Sequence, residues 1–376
     1  MIERAITNAF KEKLHKGKAI LLFGARQVGK TTLLKHLFQG QSVLWLNGDE
    51  PDVRILLSDI TSARLSSLIG EHQLLVIDEA QRIPNIGLTL KLVVDNIPEV
   101  QVVATGSAAL DLANKSQEPL TGRKWIFNLY PFSFQELVKS HGCLDESRQL
   151  NHRLVFGTYP EVFNSPGKEK DVLRLLSESY IYKDILMIEG VSKPEKLVKL
   201  LQALAYQVGS EVSYNELGRT VGLDNQTVEK YIDILEKAFI IFKLKSLNRN
   251  LRKELKLGRK IYFYDNGIRN AVIGQFAPFE NRLDKGALWE NYLISERMKY
   301  NAYNNRWVNA YFWRTQNQQE IDYLEESDGT FDAFEFKWSD KRRALFSKTF
   351  LNNYPVNQTS VVHQGDYETF LGMDEG

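Results

Sequence analysis

A glycine-rich run near the start of the chain has the residue types that hold a triphosphate. Residues 24–31 read Gly-Ala-Arg-Gln-Val-Gly-Lys-Thr and fit the pattern G-x-x-x-x-G-K-[ST], directly after an apolar run and directly before a helical one. Lys30 would neutralise the β- and γ-phosphates, and Thr31 would give its hydroxyl to magnesium, while backbone N–H groups surround the β-phosphate. We therefore predict ATP as the ligand and Mg²⁺ as the cofactor, with contacts from Gly24, Ala25, Arg26, Gln27, Val28, Gly29, Lys30, Thr31 and Thr32.

An acidic pair completes this predicted site. Residues 74–77 are four apolar residues typical of a buried parallel strand, and Asp78 and Glu79 follow at the carboxyl end, where α/β sheets place their ligands. Asp78 would hold the magnesium ion with Thr31, and Glu79 would orient or deprotonate the attacking water. Without a glycine loop, a strand ending in two solvated carboxylates would explain the same residues.

Two further residues are candidates for the reaction. Ser107 follows the predicted strand 101–104, and its hydroxyl could contact the γ-phosphate or the water, although a serine at that place also suits a simple turn. Arg123 precedes the predicted strand 125–129, where it could act as an arginine finger on a neighbouring subunit's nucleotide, or equally be a solvated loop residue.

A second group of charged residues occurs near the end of the chain. If Asp328 and Gly329 form a two-residue hairpin turn, Ser327 pairs with Thr330 and the register places Asp322 opposite Glu335. Lys337 shares a strand face with Glu335, and Glu290 could approach from a neighbouring helix. Two carboxylates and a lysine could hold magnesium and activate water for phosphodiester cleavage, whereas the alternative is an ion cluster on a solvated face.

A basic segment lies between these two groups. Residues 243–260 contain eight basic residues and one acidic residue in a chain whose formal net charge is only +1. The segment therefore predicts contact with DNA phosphates, while protein packing is the alternative. The eight residues are Lys243, Lys245, Arg249, Arg252, Lys253, Lys256, Arg259 and Lys260.

The elements that must position these residues follow three patterns. Up to about residue 131, short β-rich runs alternate with helical stretches, which is typical of a parallel sheet with helices on both faces. The sequence pattern of residues 133–201 predicts mostly helix. From residue 212, the Ser213/Glu216 pair, the turn at Gly222 and the apolar stripe of the next helix have helix-turn-helix spacing, followed by strand-like runs for a β-wing.

Length and composition allow several domains in a globular protein. The chain has 376 residues, 43% of them hydrophobic, and no apolar run near the roughly 20 residues that span a bilayer. A charged N-terminal stretch lacking a signal-peptide core predicts a cytoplasmic location and no membrane partner. The single Cys143 is not expected to form an intrachain disulfide or a zinc site.

These motifs together resemble the bacterial and archaeal AAA-type ATPases that carry a C-terminal domain of unknown function. The resemblance covers nearly the whole chain, and the residues that carry it lie at 24–31, 76–81, 104–107, 122–123, 131–134 and 260–268. It implies an α/β fold with an AAA-like P-loop core, then a winged helix, then a fold similar to the PD-(D/E)xK nucleases. We predict a core at 1–135, a helical connector at 136–195, a winged helix at 196–265 and a nuclease-like domain at 266–376.

The leading hypothesis is an ATPase whose nucleotide state controls the C-terminal module, acting on DNA. One alternative is an ATP-regulated DNA endonuclease. Another is a regulator or adaptor that uses ATP as a conformational signal and binds a protein partner. A second copy of the chain is a further candidate partner.

Overall fold

The computed structural model describes residues 2–106, 120–178, 191–248, 258–315, 318–339 and 345–373. The chain divides into two compact units, one of residues 1–130 with 237–239, the other of residues 131–236 with 240–376. The predicted boundary at 135/136 is close to this division. The boundaries predicted at 195/196 and 265/266 fall inside the second unit, and the four-part division stays a prediction.

The first unit alternates strands and helices along the chain, as the spacing of apolar runs predicts. Its strands are Ala19–Phe23 (β1), Val43–Asn47 (β2), Leu74–Asp78 (β3), Gln101–Gly106 (β4) and Lys124–Asn128 (β5). Its helices are Thr7–Lys13 (α1), Lys30–Leu37 (α2), Pro51–Leu57 (α3), Ser62–Ile69 (α4) and Ile86–Asn96 (α5). A short 3₁₀ turn, Ala80–Arg82, follows β3.

All five strands run parallel in the order β2-β3-β4-β1-β5. β1 and β4 are buried at every position and β3 at all but its last, so both faces of the sheet centre are covered, as parallel sheets require. The carboxyl ends of β1, β3 and β4 meet at one edge. The fold is therefore α/β with a parallel sheet, as predicted, and this edge positions the candidate site.

The second unit begins with helices and continues into mixed structure. Its helices are Phe134–His141 (α6), Cys143–Arg148 (α7), Leu150–Phe156 (α8), Pro160–Phe163 (α9), Glu169–Leu176 (α10), Pro194–Tyr206 (α11), Tyr214–Val221 (α12), Asn225–Lys237 (α13), Asn266–Val272 (α14), Lys285–Tyr303 (α15), Lys348–Asn353 (α16) and Tyr367–Phe370 (α17). Its strands are Glu211–Val212 (β6), Ile241–Ser246 (β7), Arg259–Phe263 (β8), Asn309–Arg314 (β9), Glu320–Ser327 (β10), Thr330–Phe336 (β11) and Val356–Val362 (β12).

These seven strands form one mixed sheet in the order β12-β11-β10-β9-β7-β8-β6. β7 and β9 pair in parallel, with Lys245 beside Tyr311 and Ser246 beside Phe312. The strands predicted for a wing and those predicted for a nuclease-like domain thus share their backbone hydrogen bonds. Alternation of apolar residues along β7 or β9 predicts each strand, but it does not show that the two strands pair with each other.

The helix pair predicted from residue 213 onward is present as α12 and α13. The hydroxyl of Ser213 accepts the backbone N–H of Glu216 and caps α12, and Gly222 ends that helix with a left-handed φ of 73°. The apolar stripe of α13 at residues 228, 232 and 235 is buried. The local signals at this place were therefore sufficient to predict both helices and the turn.

The hairpin near the end of the chain has the predicted register. Ser327 pairs with Thr330, and both central residues have left-handed φ angles, 51° at Asp328 and 81° at Gly329, which is typical of a type I′ turn. The pairing between β9 and β10 on the other side is irregular between Ile321 and Leu324.

A buried aspartate joins three segments of the second unit. Asp265 accepts the Ile268 N–H at 3.1 Å and so caps α14, and it also accepts the Thr158 N–H at 2.7 Å. A Cβ added at Gly157 would lie 2.0 Å from its carboxylate, so only glycine fits there. Burial raises the pKa of Asp265, although its hydrogen bonds oppose this. This part of the 260–268 motif is thus structural.

Two further features of the described residues concern membrane-spanning helices and the cysteine. Within these ranges, the structure has no helix with the length and apolar character that crossing a bilayer requires. Cys143 is a half-buried free thiol.

Candidate functional site

The glycine-rich loop connects the carboxyl end of β1 to the first turn of α2. Lys30 is 6% exposed, and its ammonium donates to the carbonyl oxygens of Gly24 and Ala25, both at 2.9 Å. Gln27 and Gly29 have left-handed φ angles of 61° and 96°, which curl the backbone at the helix start. Because the first N–H groups of a helix lack internal partners and carry partial positive charge, this turn is suited to bind an anion.

The hydroxyl of Thr31 meets the acidic end of β3. Its Oγ1 donates to Asp78 Oδ2 at 2.7 Å, across 47 residues of sequence. Thr105, at the end of β4, donates its hydroxyl to the other carboxylate oxygen of Asp78. Three elements, α2, β3 and β4, therefore converge on one carboxylate at the sheet edge.

Glu79 departs from the strand direction. Its φ of 48° is left-handed, and its N–H lies 3.2 Å from Asp78 Oδ1 and 3.3 Å from Thr105 Oγ1. Its own carboxylate accepts a hydrogen bond from Gln81 Nε2 at 2.6 Å. The two adjacent carboxylates thus have different partners: that of Asp78 accepts from Thr31, whereas that of Glu79 accepts from Gln81.

The remaining residues predicted for this site differ in position. Arg26 and Thr32 are exposed, and Ser107 lies outside the described residues. Arg123 accepts the Ala19 N–H with its carbonyl, so it lies at the start of β1, while the glycine-rich loop follows the end of that strand, roughly 13 Å away. Its guanidinium pairs with Asp95 at 2.6 Å. The structure does not bring Arg123 to this loop, and its role stays a prediction.

Sequence reasoning missed one residue that contacts the loop. Arg4 is 5% exposed, and its guanidinium donates to the carbonyl oxygens of Val28, at 2.8 Å, and Tyr130, at 2.5 Å. It precedes α1 and lies 24 residues before Val28 in the sequence. No local pattern marks a contact across that distance.

The predicted basic patch needs a correction in its described part. Lys243 pairs with Asp233 and Glu236, both at 2.6 Å, and Lys260 is 3% exposed. Arg259 lies over the ring of Tyr214. Counting charges along the chain overestimated the free positive charge because the acidic partners come from other elements. Of the four described cations, Lys245 is exposed; Arg249, Arg252, Lys253 and Lys256 lie outside the described residues.

The second predicted group does converge. Lys337 Nζ lies 2.8 Å from Glu335 Oε2 and 3.5 Å from Asp322 Oδ2, and the Phe336 N–H donates to Asp322 at 2.9 Å. Burial and the nearby charge of Asp322 raise the pKa of Glu335 to about 7, although Lys337 opposes this. Burial lowers the pKa of Lys337, but the two carboxylates outweigh it and the net shift is upward.

Glu290, on α15, belongs to a neighbouring cluster whose other members lie on strands of the same sheet. Its carboxylate accepts hydrogen bonds from Tyr262, at 2.6 Å, and from Lys260, at 3.1 Å, while the same ammonium also lies 2.7 Å from Glu320. Burial raises the pKa of Glu290, with Lys260 opposing and Asp322 adding to the rise. Lys260, read from the sequence as a DNA contact, is therefore an internal counter-ion.

The two sites differ in how well they fit a metal ion. In the described ranges, no three His, Cys, Asp or Glu side chains are grouped so that they could hold a metal. Glu290, Asp322 and Glu335 already face Lys260 or Lys337, so they do not fit a dedicated metal cage. The loop site fits magnesium, since one or two protein oxygens plus phosphate oxygens suffice and Thr31 and Asp78 supply two.

Three domain models match the chain. Residues 16–138 match an AAA domain, residues 147–278 a domain of unknown function (DUF8612), and residues 285–373 a second domain of unknown function (DUF4143). An uncharacterized protein of Mycobacterium tuberculosis is 28% identical over 344 residues, which is 90% of this chain and 74% of that protein. One of Haemophilus influenzae is 31% identical over 195 residues, 49% of this chain and 48% of that protein.

Solved structures give weaker matches. Cdc6p from Pyrobaculum aerophilum is 13% identical, with 72% of this chain and 91% of that chain covered and a TM-score of 0.29. A STAND-class signal transduction ATPase from Pyrococcus horikoshii is 12% identical, with 81% and 48% covered and a TM-score of 0.30. At these TM-scores the likeness carries no argument. The domain matches do: the chain contains an AAA-type P-loop domain at residues 16–138 and a DUF4143 domain at residues 285–373.

Proposed function

We propose that this chain binds ATP with magnesium and hydrolyses it at the loop between β1 and α2. The observation that carries the proposal is the contact between Thr31 and Asp78, 2.7 Å apart beside the N-terminus of α2. A hydroxyl and a carboxylate at this place are the oxygen ligands that magnesium accepts when phosphates supply the rest. Bound there, magnesium would neutralise charge that develops on the phosphates.

The side chains of the site have separate tasks in this mechanism. Lys30, now donating to two loop carbonyls, would turn its ammonium to the β- and γ-phosphates. Glu79 would accept a hydrogen bond from the attacking water and align it in line with the γ-phosphorus. Gln81, which donates to Glu79 at 2.6 Å, would hold that carboxylate in position. Thr105 would keep Asp78 oriented.

Two substitutions with matched controls test this site. Lys30→Ala should abolish ATP binding or turnover, because the phosphate charge loses its cation; Lys35→Ala, an exposed position of the same helix, should behave like the wild type. Glu79→Gln should keep ATP affinity and lose turnover, with the exposed Glu71→Gln as its control. Steady-state ATPase rates and equilibrium binding of a fluorescent ATP analogue measure both. Normal hydrolysis by Lys30→Ala and Glu79→Gln would reject the assignment.

The nucleotide state is proposed to control the second unit, acting on DNA. The order α11, β6, α12, α13, β7, β8, with β6 and β7 both paired to β8, supports a winged-helix arrangement. Lys245 is the exposed cation in the described part of the 243–260 segment. A DNA-dependent rise in ATPase rate that weakens with salt is the expected result. An unchanged rate with single- and double-stranded DNA at low salt would contradict it.

A second candidate function is DNA cleavage in the second unit. It is favoured by the convergence of Asp322, Glu335 and Lys337 within hydrogen-bonding reach. A carboxylate with a pKa of about 7 can take a proton from water near neutral pH, and the Lys337 ammonium can stabilise charge on a phosphate oxygen. ATP would regulate this step.

Cleavage of plasmid and linear DNA, with and without divalent cations, tests the second candidate. Asp322→Asn should abolish cleavage, whereas Asp328→Asn in the exposed turn of the same hairpin should not, because asparagine tolerates the left-handed φ of 51°. Intact DNA in all conditions would reject this candidate. Slow turnover that ignores DNA, together with a co-purifying protein, would instead support the regulator hypothesis.

A further inference from the structure

The N-terminal segment of the first unit is anchored beside the nucleotide loop. Phe10 of α1 is fully buried, with its ring centroid 6.4 Å from that of Phe38, directly after α2, and 5.3 Å from that of Phe127 in β5. The carbonyl of Arg4 accepts the Thr7 N–H at 3.0 Å. Arg4 is therefore held near the loop by α1, which packs against Phe38 after α2 and against Phe127 in β5.

The guanidinium of Arg4 connects the loop with the segment that follows β5. One terminal nitrogen donates to the Val28 carbonyl at 2.8 Å, and the other donates to the Tyr130 carbonyl at 2.5 Å. The two bonds need the forked donor geometry of arginine, since a lysine ammonium would have to reach both oxygens from one point. Arg4 lies outside residues 16–138, the range that matches the AAA domain.

The bond to Val28 also determines where the next amide points. Among the described residues no peptide is cis, so the Val28 carbonyl and the Gly29 N–H point in opposite directions within their shared peptide plane. With the carbonyl held toward Arg4, the Gly29 N–H points away from Arg4. A Cβ added at Gly29 would lie 3.8 Å from the guanidinium, which shows how closely Arg4 approaches the loop.

We propose that Arg4 is a positioning residue that orients the Val28–Gly29 peptide so that the Gly29 N–H faces the triphosphate. Its fixed positive charge behind the loop adds attraction for the phosphates. This inference rests on the proposed function, since it concerns how the same loop binds ATP. Because Arg4 acts on the loop and not on the reacting atoms, it affects nucleotide affinity more than the rate of the chemical step.

Binding of a fluorescent ATP analogue and ATPase kinetics, with the full chain, test the proposal. Arg4→Met keeps the aliphatic stem and should raise Kd and KM at least tenfold with kcat nearly unchanged. Arg4→Lys keeps the charge and should show an intermediate rise. Lys11→Met, an exposed position on α1, should bind like the wild type. If Arg4→Met does not fold, Arg4→Lys decides the question.

The outcomes separate the two proposals. Wild-type affinity in Arg4→Met, or in Arg4→Lys if that is the variant that folds, would overturn the role of Arg4. A fall in thermal unfolding temperature without any change in Kd would also overturn it, because Arg4 would then support only the fold. If the wild type itself binds no ATP, the proposed function fails, and the role of Arg4 fails with it.

Discussion

At the scale of single residues, two adjacent acids have different environments. Asp78 lies at the end of β3 against the hydroxyls of Thr31 and Thr105, whereas Glu79 turns out of the strand and contacts Gln81. Two consecutive carboxylates in one extended strand would point to opposite faces. The left-handed φ of Glu79 breaks that alternation and gives each acid its own position at the sheet edge.

Substituting Thr105 tests how far Asp78 depends on its neighbours. Thr105→Val keeps the shape of a fully buried side chain but removes the hydroxyl that donates to Asp78 and accepts the Glu79 N–H. Hydrogen bonds to charged groups contribute about 1.5 to 3 kcal/mol, so we expect ATPase kcat/KM to fall about tenfold or more. Thr105→Ser should retain most of the rate. Wild-type kinetics in Thr105→Val would contradict this prediction.

Glu335 predicts a pH dependence of stability. Its pKa rises from 4.5 to about 7 on folding, because burial and Asp322 disfavour the charged form. The folded protein therefore holds a proton that the unfolded chain has lost, so this contribution to stability is present below pH 4.5 and is lost as pH rises through 7. Thermal unfolding between pH 5 and pH 8 should show a smaller decrease for Glu335→Gln than for the wild type. If the unfolding temperatures of the wild type and Glu335→Gln fall in parallel with pH, Glu335 is not the source of the pH dependence.

Residues inside short motifs were predictable, and residues that act from a distance were not. Lys30 and Thr31 follow a loop pattern whose spacing fixes their geometry, and Asp78 ends an apolar strand at the sheet edge where ligands bind. Arg4 had no such signal, because its contacts lie 24 and 126 residues along the chain. Lys260 was misread for the same reason: its partners Glu290 and Glu320 come from later elements.

At the scale of elements, strand ends and turns position the residues of the candidate site. The hairpin register was predictable because two left-handed central residues fix it within a few positions. The sheet order was not, since it depends on which strands meet across long connections. The glycine-rich loop shows a further constraint, because Gly24 lies directly against the end of β5.

Gly24→Ala tests this close packing. A Cβ there would lie 2.2 Å from the Leu129 carbonyl oxygen, so the loop or β5 must shift. Such overpacking typically costs 1 to 3 kcal/mol, which lowers the unfolding temperature by roughly 2–4 °C per kcal/mol and should weaken ATP binding as well. Gly286→Ala, with open space in α15, should be neutral or stabilising. Calorimetry with and without ATP measures both variants, and a Gly24→Ala protein as stable as the wild type would disprove the clash.

At the scale of the whole molecule, the second unit is built around one sheet. β7 and β8 pair with each other and, through β9, with the strands that follow α15. Asn291 of α15 donates to the Phe263 carbonyl at 3.1 Å and accepts the Phe263 N–H at 2.7 Å. Sequence patterns suggested two consecutive domains, because apolar periodicity predicts each strand but does not show which strands pair with it.

Ending the chain after Asp284 tests this shared sheet. The truncated chain lacks α15 and β9, so β7 loses a neighbour and β8 loses the side chain of Asn291. We expect residues 131–284 of this fragment to be cut by trypsin far faster than in the full chain, with mass spectrometry locating the cuts. Equal resistance would mean that α11–α13 with β6–β8 fold independently of the strands that follow.

The backbone at Glu79 also implies opposing selection at one position. A non-glycine residue in the left-handed region costs about 1 to 2 kcal/mol, a sizeable share of the 5–15 kcal/mol that typically stabilises a folded domain. Glycine would relieve that cost and remove the carboxylate to which the proposed mechanism assigns the attacking water. Under the proposed mechanism, a stabilising substitution at position 79 would therefore yield an inactive protein, and the residue at this position would distinguish relatives that hydrolyse nucleotide from those that keep only the fold.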